Sequence, residues 1–235
     1  MKFSHGRLKM SNELCDINDP NCRQTPFLLL LVSLLALMVL EPFIYDFIRL
    51  RFLLDIFLSI ILFTSIYAVS EKRGTTLVAI ILALPKFGTL WAQSFITHPL
   101  LYFFDSIFGF IFIGYIIVLI LRYIFRQENV TLETIYGAIA VYILIGILWV
   151  FLYNLTELLH PGSFSLAEVL DAESKKALYF FSFVTLTTLG YGDITPVSGP
   201  ARSLAMLEAI VGQMYIAVLI ARLVGMHISQ NIMNK

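Results

Sequence analysis

Long apolar runs separated by short polar breaks limit this chain more than anything else in it. Six such runs lie at about 27–47, 52–70, 77–97, 100–125, 134–156 and 201–225, with turn or charge signals such as EKRGTT and THP between them. A helix needs roughly 20 mainly apolar residues to cross about 30 Å of hydrocarbon, and each run has that length. Inside a bilayer every backbone amide must be satisfied within the protein, which leaves helices or closed barrels. Composition agrees: 14% of the 235 residues are charged, against about 25% in soluble domains, and the mean hydropathy is +0.85. The expected fold class is an all-α membrane protein with six transmembrane helices.

Lys and Arg set the orientation. With both termini in the cytoplasm, Lys2, Arg7, Lys9, Arg23, Lys72, Arg73, Arg122, Arg126, Arg222 and Lys235 fall inside, while Arg49, Arg51, Lys175, Lys176 and Arg202 fall outside. The expected location is therefore the plasma (inner) membrane. Residues 1–26 read as a cytoplasmic tail with no small-residue cleavage site, so the first apolar run is expected to remain as a span. Cys15 and Cys22 both sit in this tail and give no disulfide framework. The stretch CDINDPNC between them lacks the glycine and terminal glutamate of a calcium loop. A net charge of +0 argues against a nucleic-acid partner.

Between the last two runs lies 157–200, too polar for a seventh span. Within it, Asp171 can cap a short helix from about Ala172 through ESKKALYFFSFVTL, and Ser165 with Glu168 offers a second possible cap. About 14 residues give some 21 Å of helix, enough to enter a membrane and stop partway. The return leg is TLTTLGYGD, Thr185 to Asp193. Read alone, LGYGD is also reasonable chemistry for an external turn. Placed after a short helix at membrane depth it means more, because Gly190 and Gly192 allow torsions closed to other residues. Successive carbonyls can then face one side and replace the water around a dehydrated cation.

The stretch TTLGYGD resembles the filter of the tetrameric potassium channel family, T-V-G-Y-G-D, with Leu189 in place of valine. The resemblance implies a homotetramer in which each copy contributes a re-entrant pore helix and a selectivity-filter loop. It implies K+ sites at Thr188, Leu189, Gly190, Tyr191 and Gly192, with Asp193 at the outer mouth. Tyr191 is expected to press against pore-helix aromatics, and Phe180, Phe181, Val184, Thr185 and Thr187 to support the filter. Phe180 and Phe181 stand where many relatives have tryptophan, and phenylalanine cannot donate to Asp193. Val184 stands where some members place a buried glutamate. The carbonyl end of the pore helix carries about half a negative charge, expected to point at the pore.

In the last run, Gly212 matches the family's hinge glycine, and a mid-helix glycine weakens a helix by about 1 kcal/mol relative to alanine. It reads equally as a site of close helix packing. Ile216, Ile220 and Val224 fall on nearly one face, which by resemblance lines a cavity and narrows to an apolar inner gate. Glu208, one turn before Gly212, is an intramembrane carboxylate and so a candidate functional group. It either bonds the back of the filter or a neighbouring copy, or sits near outer water.

Six spans with the pore last resemble the voltage-gated branch, so 27–125 reads as a degenerate voltage-sensor unit and 126–235 as the pore domain. The fourth run carries only Arg122 and Arg126, both at its end. Moving one charge through 100 mV is worth about 2.3 kcal/mol, so the expectation is voltage insensitivity. Asp55, Lys86 and Asp105 are expected either to pair across the bundle or to serve a sensing or proton-linked role. His5, His98, His160 and His227 form no metal cluster, and Asn129 and Asn154 head glycosylation-type triplets. No nucleophile, base and orienter set occurs, so an enzyme is not expected, nor a cofactor beyond K+ as the permeant ion. The partners implied are further copies of the chain and membrane lipid. A transporter subunit built from four pore-like repeats, or a non-conducting accessory or scaffold subunit, remains as the alternative.

Overall fold

A computed structural model describes residues 25–45, 51–68, 73–96, 98–127, 130–165 and 172–233, and towards several helix ends the backbone alone. Among the described residues seven helices follow one another: α1 (Thr25–Tyr45), α2 (Arg51–Ala68), α3 (Arg73–Phe95), α4 (Pro99–Arg126), α5 (Leu132–Leu159), α6 (Ala172–Leu186) and α7 (Gly199–Met233). No strand is present among the described residues, and the one extended pairing is a bridge between Phe164 and Pro196. Each expected apolar run coincides with a helix. Four stretches, Gly74–Gln93, Pro99–Arg126, Leu132–Leu159 and Gly199–Gly225, are long and apolar enough to cross a membrane. The apolar stretches described in α1 and α2, Pro26–Leu40 and Leu58–Tyr67, are shorter.

Local chemistry fixes several helix ends. His98 caps α4 by accepting at Nδ1 from the Leu100 amide at 3.3 Å, with Pro99 opening the helix. Proline suits that place because its missing N–H would have had no partner there. Thr131 caps α5 by accepting from the Thr134 amide at 3.2 Å.

α5 is the central element, packing against α1, α4, α6 and α7. Along it Val141 and Leu144 join Leu30 and Leu34 of α1 and Ile116, Ile120 and Ile124 of α4 in one buried core. Beside the N-terminal end of α5, where α4 stops, the contact is polar: Arg222 of α7 donates to the carbonyls of Ile124 at 2.8 Å and Gln127 at 3.3 Å.

A second anchor lies at the other end of α5. The Glu157 carboxylate accepts from the amides of Gly162, Ser163 and Phe164 at 2.7, 3.0 and 3.3 Å. This turns the chain off the helix. Ser165 then donates its amide to the Thr195 carbonyl at 2.9 Å, and Val197 donates to the Ser163 carbonyl at 2.7 Å. The two ends of the α6 excursion are thus pinned together. The Ser165 hydroxyl pairs with that of Thr195 at 2.8 Å, and α6 is described from Ala172. Asp171 and Glu168, the other expected capping residues, lie outside the described residues, as do Cys15 and Cys22.

Candidate ion pathway

α6 ends in a motif that shapes everything after it. The Leu189 amide donates to the Val184 carbonyl at 2.9 Å, and the Thr188 amide to the Thr185 carbonyl at 2.9 Å. These two bonds, with a left-handed residue between the helix and Leu189, make a Schellman-type stop. The left-handed residue is Thr188, at φ +58°, the one non-glycine with positive φ among the described residues. A β-branched side chain there is a genuine outlier, and strained residues of this kind cluster at functional sites.

The sign of φ then alternates. Gly190 is at +61° and Gly192 at +82°, while Leu189 and Tyr191 between them are not positive. In an ordinary strand successive carbonyls point to opposite sides of the chain. Reversing every second residue swings alternate peptide planes over, so that neighbouring carbonyls turn the same way. A Cβ placed on Gly190 or Gly192 would meet nothing within 4 Å, so glycine is needed for torsion rather than for space.

The carbonyls of the last α6 turn are capped rather than bare. Phe183 accepts from the Thr187 hydroxyl at 2.7 Å, Val184 and Thr185 from the amides above, and Leu186 from the Tyr142 hydroxyl at 3.4 Å. The expected field of the helix end survives this, because it arises from the aligned peptides of the whole helix.

Phe180 and Phe181, expected to act together, separate. Phe180 stacks on Tyr191 with ring centroids 6.0 Å apart and planes 5° apart. Phe181 turns about 100° further round the helix and packs on Tyr153 and Phe164 at 5.2 and 5.4 Å. Val184 is buried and contributes to the loop through its carbonyl. Asp193 accepts from the Ile194 amide at 3.0 Å and closes its own turn.

Behind α6 stands a polar cluster that the sequence shows only at Glu208. Glu208 is fully buried and accepts from the Tyr153 hydroxyl. Its second oxygen lies 2.6 Å from the Ser182 hydroxyl, which is also 2.8 Å from the Gly146 carbonyl. One hydroxyl proton cannot serve two acceptors. Whenever Ser182 donates to Gly146, its contact with Glu208 needs a proton on the carboxyl. Glu208 therefore bonds α5 and α6 within its own chain rather than facing outer water. The signal for Tyr153 and Ser182 was invisible in sequence, since a serine and a tyrosine in apolar runs are common.

Gly212 lies directly against α6, where a Cβ would collide with the Leu186 carbonyl oxygen and crowd the Leu186 side chain. α7 continues through this point without interruption, so close packing is the role its surroundings display. Ile216, Ile220 and Val224 are exposed along one side of α7.

Away from this site, Lys86 of α3 donates to Asp105 of α4 at 2.5 Å, and the Thr89 hydroxyl donates to the same carboxylate at 2.9 Å. The Lys86 ammonium also lies 4.7 Å from the Phe151 ring centre on α5. The Asp55 side chain lies outside the described residues.

Residues 164–228 match a protein-family model described as an ion channel. No curated protein and no solved structure matches the chain. With the apolar helices, the match supports an integral membrane protein of an ion channel family, and it spans the α6 excursion, the glycine loop and most of α7.

Proposed function

We propose that four copies of this chain surround one axis and conduct K+ passively and selectively, with Thr188, Leu189, Gly190, Tyr191 and Gly192 supplying the ion's oxygen ligands. The observation that carries this reading is the alternating backbone of Thr188, Gly190 and Gly192, set at the end of a helix too short to cross a bilayer. Carbonyl oxygens turned one way can replace the hydration of a bare cation, but one loop cannot encircle an ion. Each chain holds a single TLGYG segment, so several copies are required.

α7 gives further support. Its apolar stretch is 11% buried within the chain, against 56% for α5, leaving wide faces for neighbouring copies and for the pathway. In this reading Ile216, Ile220 and Val224 line the inner cavity, Gly212 can flex as a hinge, and Asp193 marks the outer mouth. The chain crosses the plasma membrane six times with both termini cytoplasmic. Voltage has little to act on, because α4 carries arginine only at its end.

Purified full-length protein in liposomes tests the proposal. K+ should flow down its gradient at rates that hardly change with imposed voltage, and Na+ should be excluded. Equal passage of the two ions, or an assembly without four-fold symmetry, would defeat it.

A further inference from the structure

Glu208 has no exposed surface even in the single chain and lies within the apolar stretch Gly199–Gly225. Three helices meet around it. From α5 the Tyr153 hydroxyl donates to Oε2, and from α6 the Ser182 hydroxyl lies 2.6 Å from Oε1. Tyr142, on the same face of α5 as Gly146 and Tyr153, is the other titratable group within electrostatic reach, and its own hydroxyl is given to the Leu186 carbonyl at 3.4 Å. The ion pair among the described residues is Lys86 with Asp105, so no cation meets a charge at Glu208.

The hydroxyl of Ser182 divides the arrangements into two. It lies between Oε1 of Glu208 and the Gly146 carbonyl, at 2.6 and 2.8 Å, with one proton to give. When Glu208 carries a proton, the carboxyl donates to Ser182 and Ser182 donates to Gly146, so every contact is made. When it does not, Ser182 turns its proton to Oε1 and the bond from α6 to α5 is lost. A carboxylate is then left buried with two hydroxyls and no opposite charge, which is costly. Gly146 brings the helices this close, since a Cβ there would meet the Phe183 ring at 2.8 Å.

We propose that Glu208 is a proton-binding site whose occupancy sets the hold on α6. Occupied, at neutral pH and below, it chains α7 to α6 and α6 to α5. As pH rises the proton passes to water, Tyr153 stays a donor, and α6 remains bonded to α7 alone. The consequence for conduction rests on the channel reading above: α6 carries the Thr188 to Gly192 loop, so loss of its tie to α5 loosens that loop and lowers K+ flux.

Infrared spectroscopy of the purified full chain in an ester-free detergent tests the site without reference to conduction. At neutral pH the wild type should show the C=O stretch of a protonated carboxyl. The band should be absent in Glu208→Gln and move to higher frequency in Ser182→Ala, which removes the acceptor of that proton. Alkaline pH should abolish the band reversibly, and in liposomes wild-type K+ flux should fall with it about tenfold, as expected for losing one hydrogen bond that holds α6. Glu208→Gln, whose amide donates as the acid does, should keep its flux constant over the same range. If Glu208→Gln fails to fold, Ser182→Ala and the titration of the wild-type band decide. No protonated carboxyl band at neutral pH would overturn the site, and a band lost at alkaline pH with K+ flux unchanged would overturn its control of α6. A wild type without selective K+ flux would defeat the channel reading, while the infrared band would still decide whether Glu208 holds a proton.

Discussion

The first four helices, α1–α4, and the last three, α5–α7, are both mainly apolar but place their polar groups differently. In the first, the helix-to-helix polar contacts among the described residues are spread out: Ser33 with Thr64, Trp91 with Ser59, Tyr115 with the Thr75 carbonyl, and the cluster of Lys86, Asp105 and Thr89. In the second they converge on one short segment. Tyr142 reaches the end of α6, Glu208 and Ser182 brace its middle, Ser163 and Ser165 tie down the segment that leads into α7, and Gln213 touches Thr188. In a bilayer apolar burial separates helix from helix only weakly, because lipid is as apolar as leucine. Where the hydrogen bonds go is what distinguishes scaffold from site.

That contrast can be broken most severely at the glycine loop. Gly190→Ala or Gly192→Ala forces a side chain into left-handed torsion, at about 1–2 kcal/mol in every copy around one pathway. Discrimination of K+ over Na+ should collapse in a liposome flux assay; unchanged selectivity would mean that the torsional alternation is irrelevant. The first unit should answer the reverse way. Lys86→Met leaves the half-buried Asp105 carboxylate with the Thr89 hydroxyl alone and should cost up to about 3 kcal/mol of stability, read as a lowered unfolding temperature, with ion preference intact. The double variant Lys86→Met with Asp105→Leu should recover most of that loss.

Two smaller changes sharpen the comparison inside the second unit. Gly212→Ala places a methyl against the Leu186 carbonyl and should cost about 2 kcal/mol through overpacking. Unaltered thermal stability with altered opening would instead favour a pure hinge. Glu208→Gln should be mild, below about 1 kcal/mol, since an amide can donate to Ser182 and accept from Tyr153. Glu208→Leu strands the Tyr153 hydroxyl, while Ser182 keeps the Gly146 carbonyl, and should cost about 2 kcal/mol. If the Gln and Leu variants melt alike, hydrogen bonding at Glu208 is not what holds α6.

Much of this was legible beforehand. The positions of all the long helices followed from run length, because the bilayer permits one regular structure for an apolar run. The span of α6, Ala172–Leu186, was read from Asp171 as a possible cap, itself outside the described residues, and from the glycine-marked loop that follows the helix. The pairing of Lys86 with Asp105 was one of two readings that charge placement left open. Less accessible were contacts whose chemistry is ordinary residue by residue: the divergence of Phe180 from Phe181, the capped carbonyls of α6, and the bond between Ser165 and Thr195. Each depends on which way a side chain points after two distant segments meet.

Sequence by itself determined that the chain is a set of apolar helices with one glycine-marked interruption, since backbone amides in hydrocarbon leave no other regular option and glycine alone takes positive φ cheaply. Tertiary structure decided what surrounds that interruption. It pressed Gly212 onto Leu186, closed Glu208 onto Tyr153 and Ser182, and put Gln213 beside Thr188. Those pairs are 25 or more positions apart, and no local pattern encodes a hydrogen bond between residues that only folding brings within 3.5 Å.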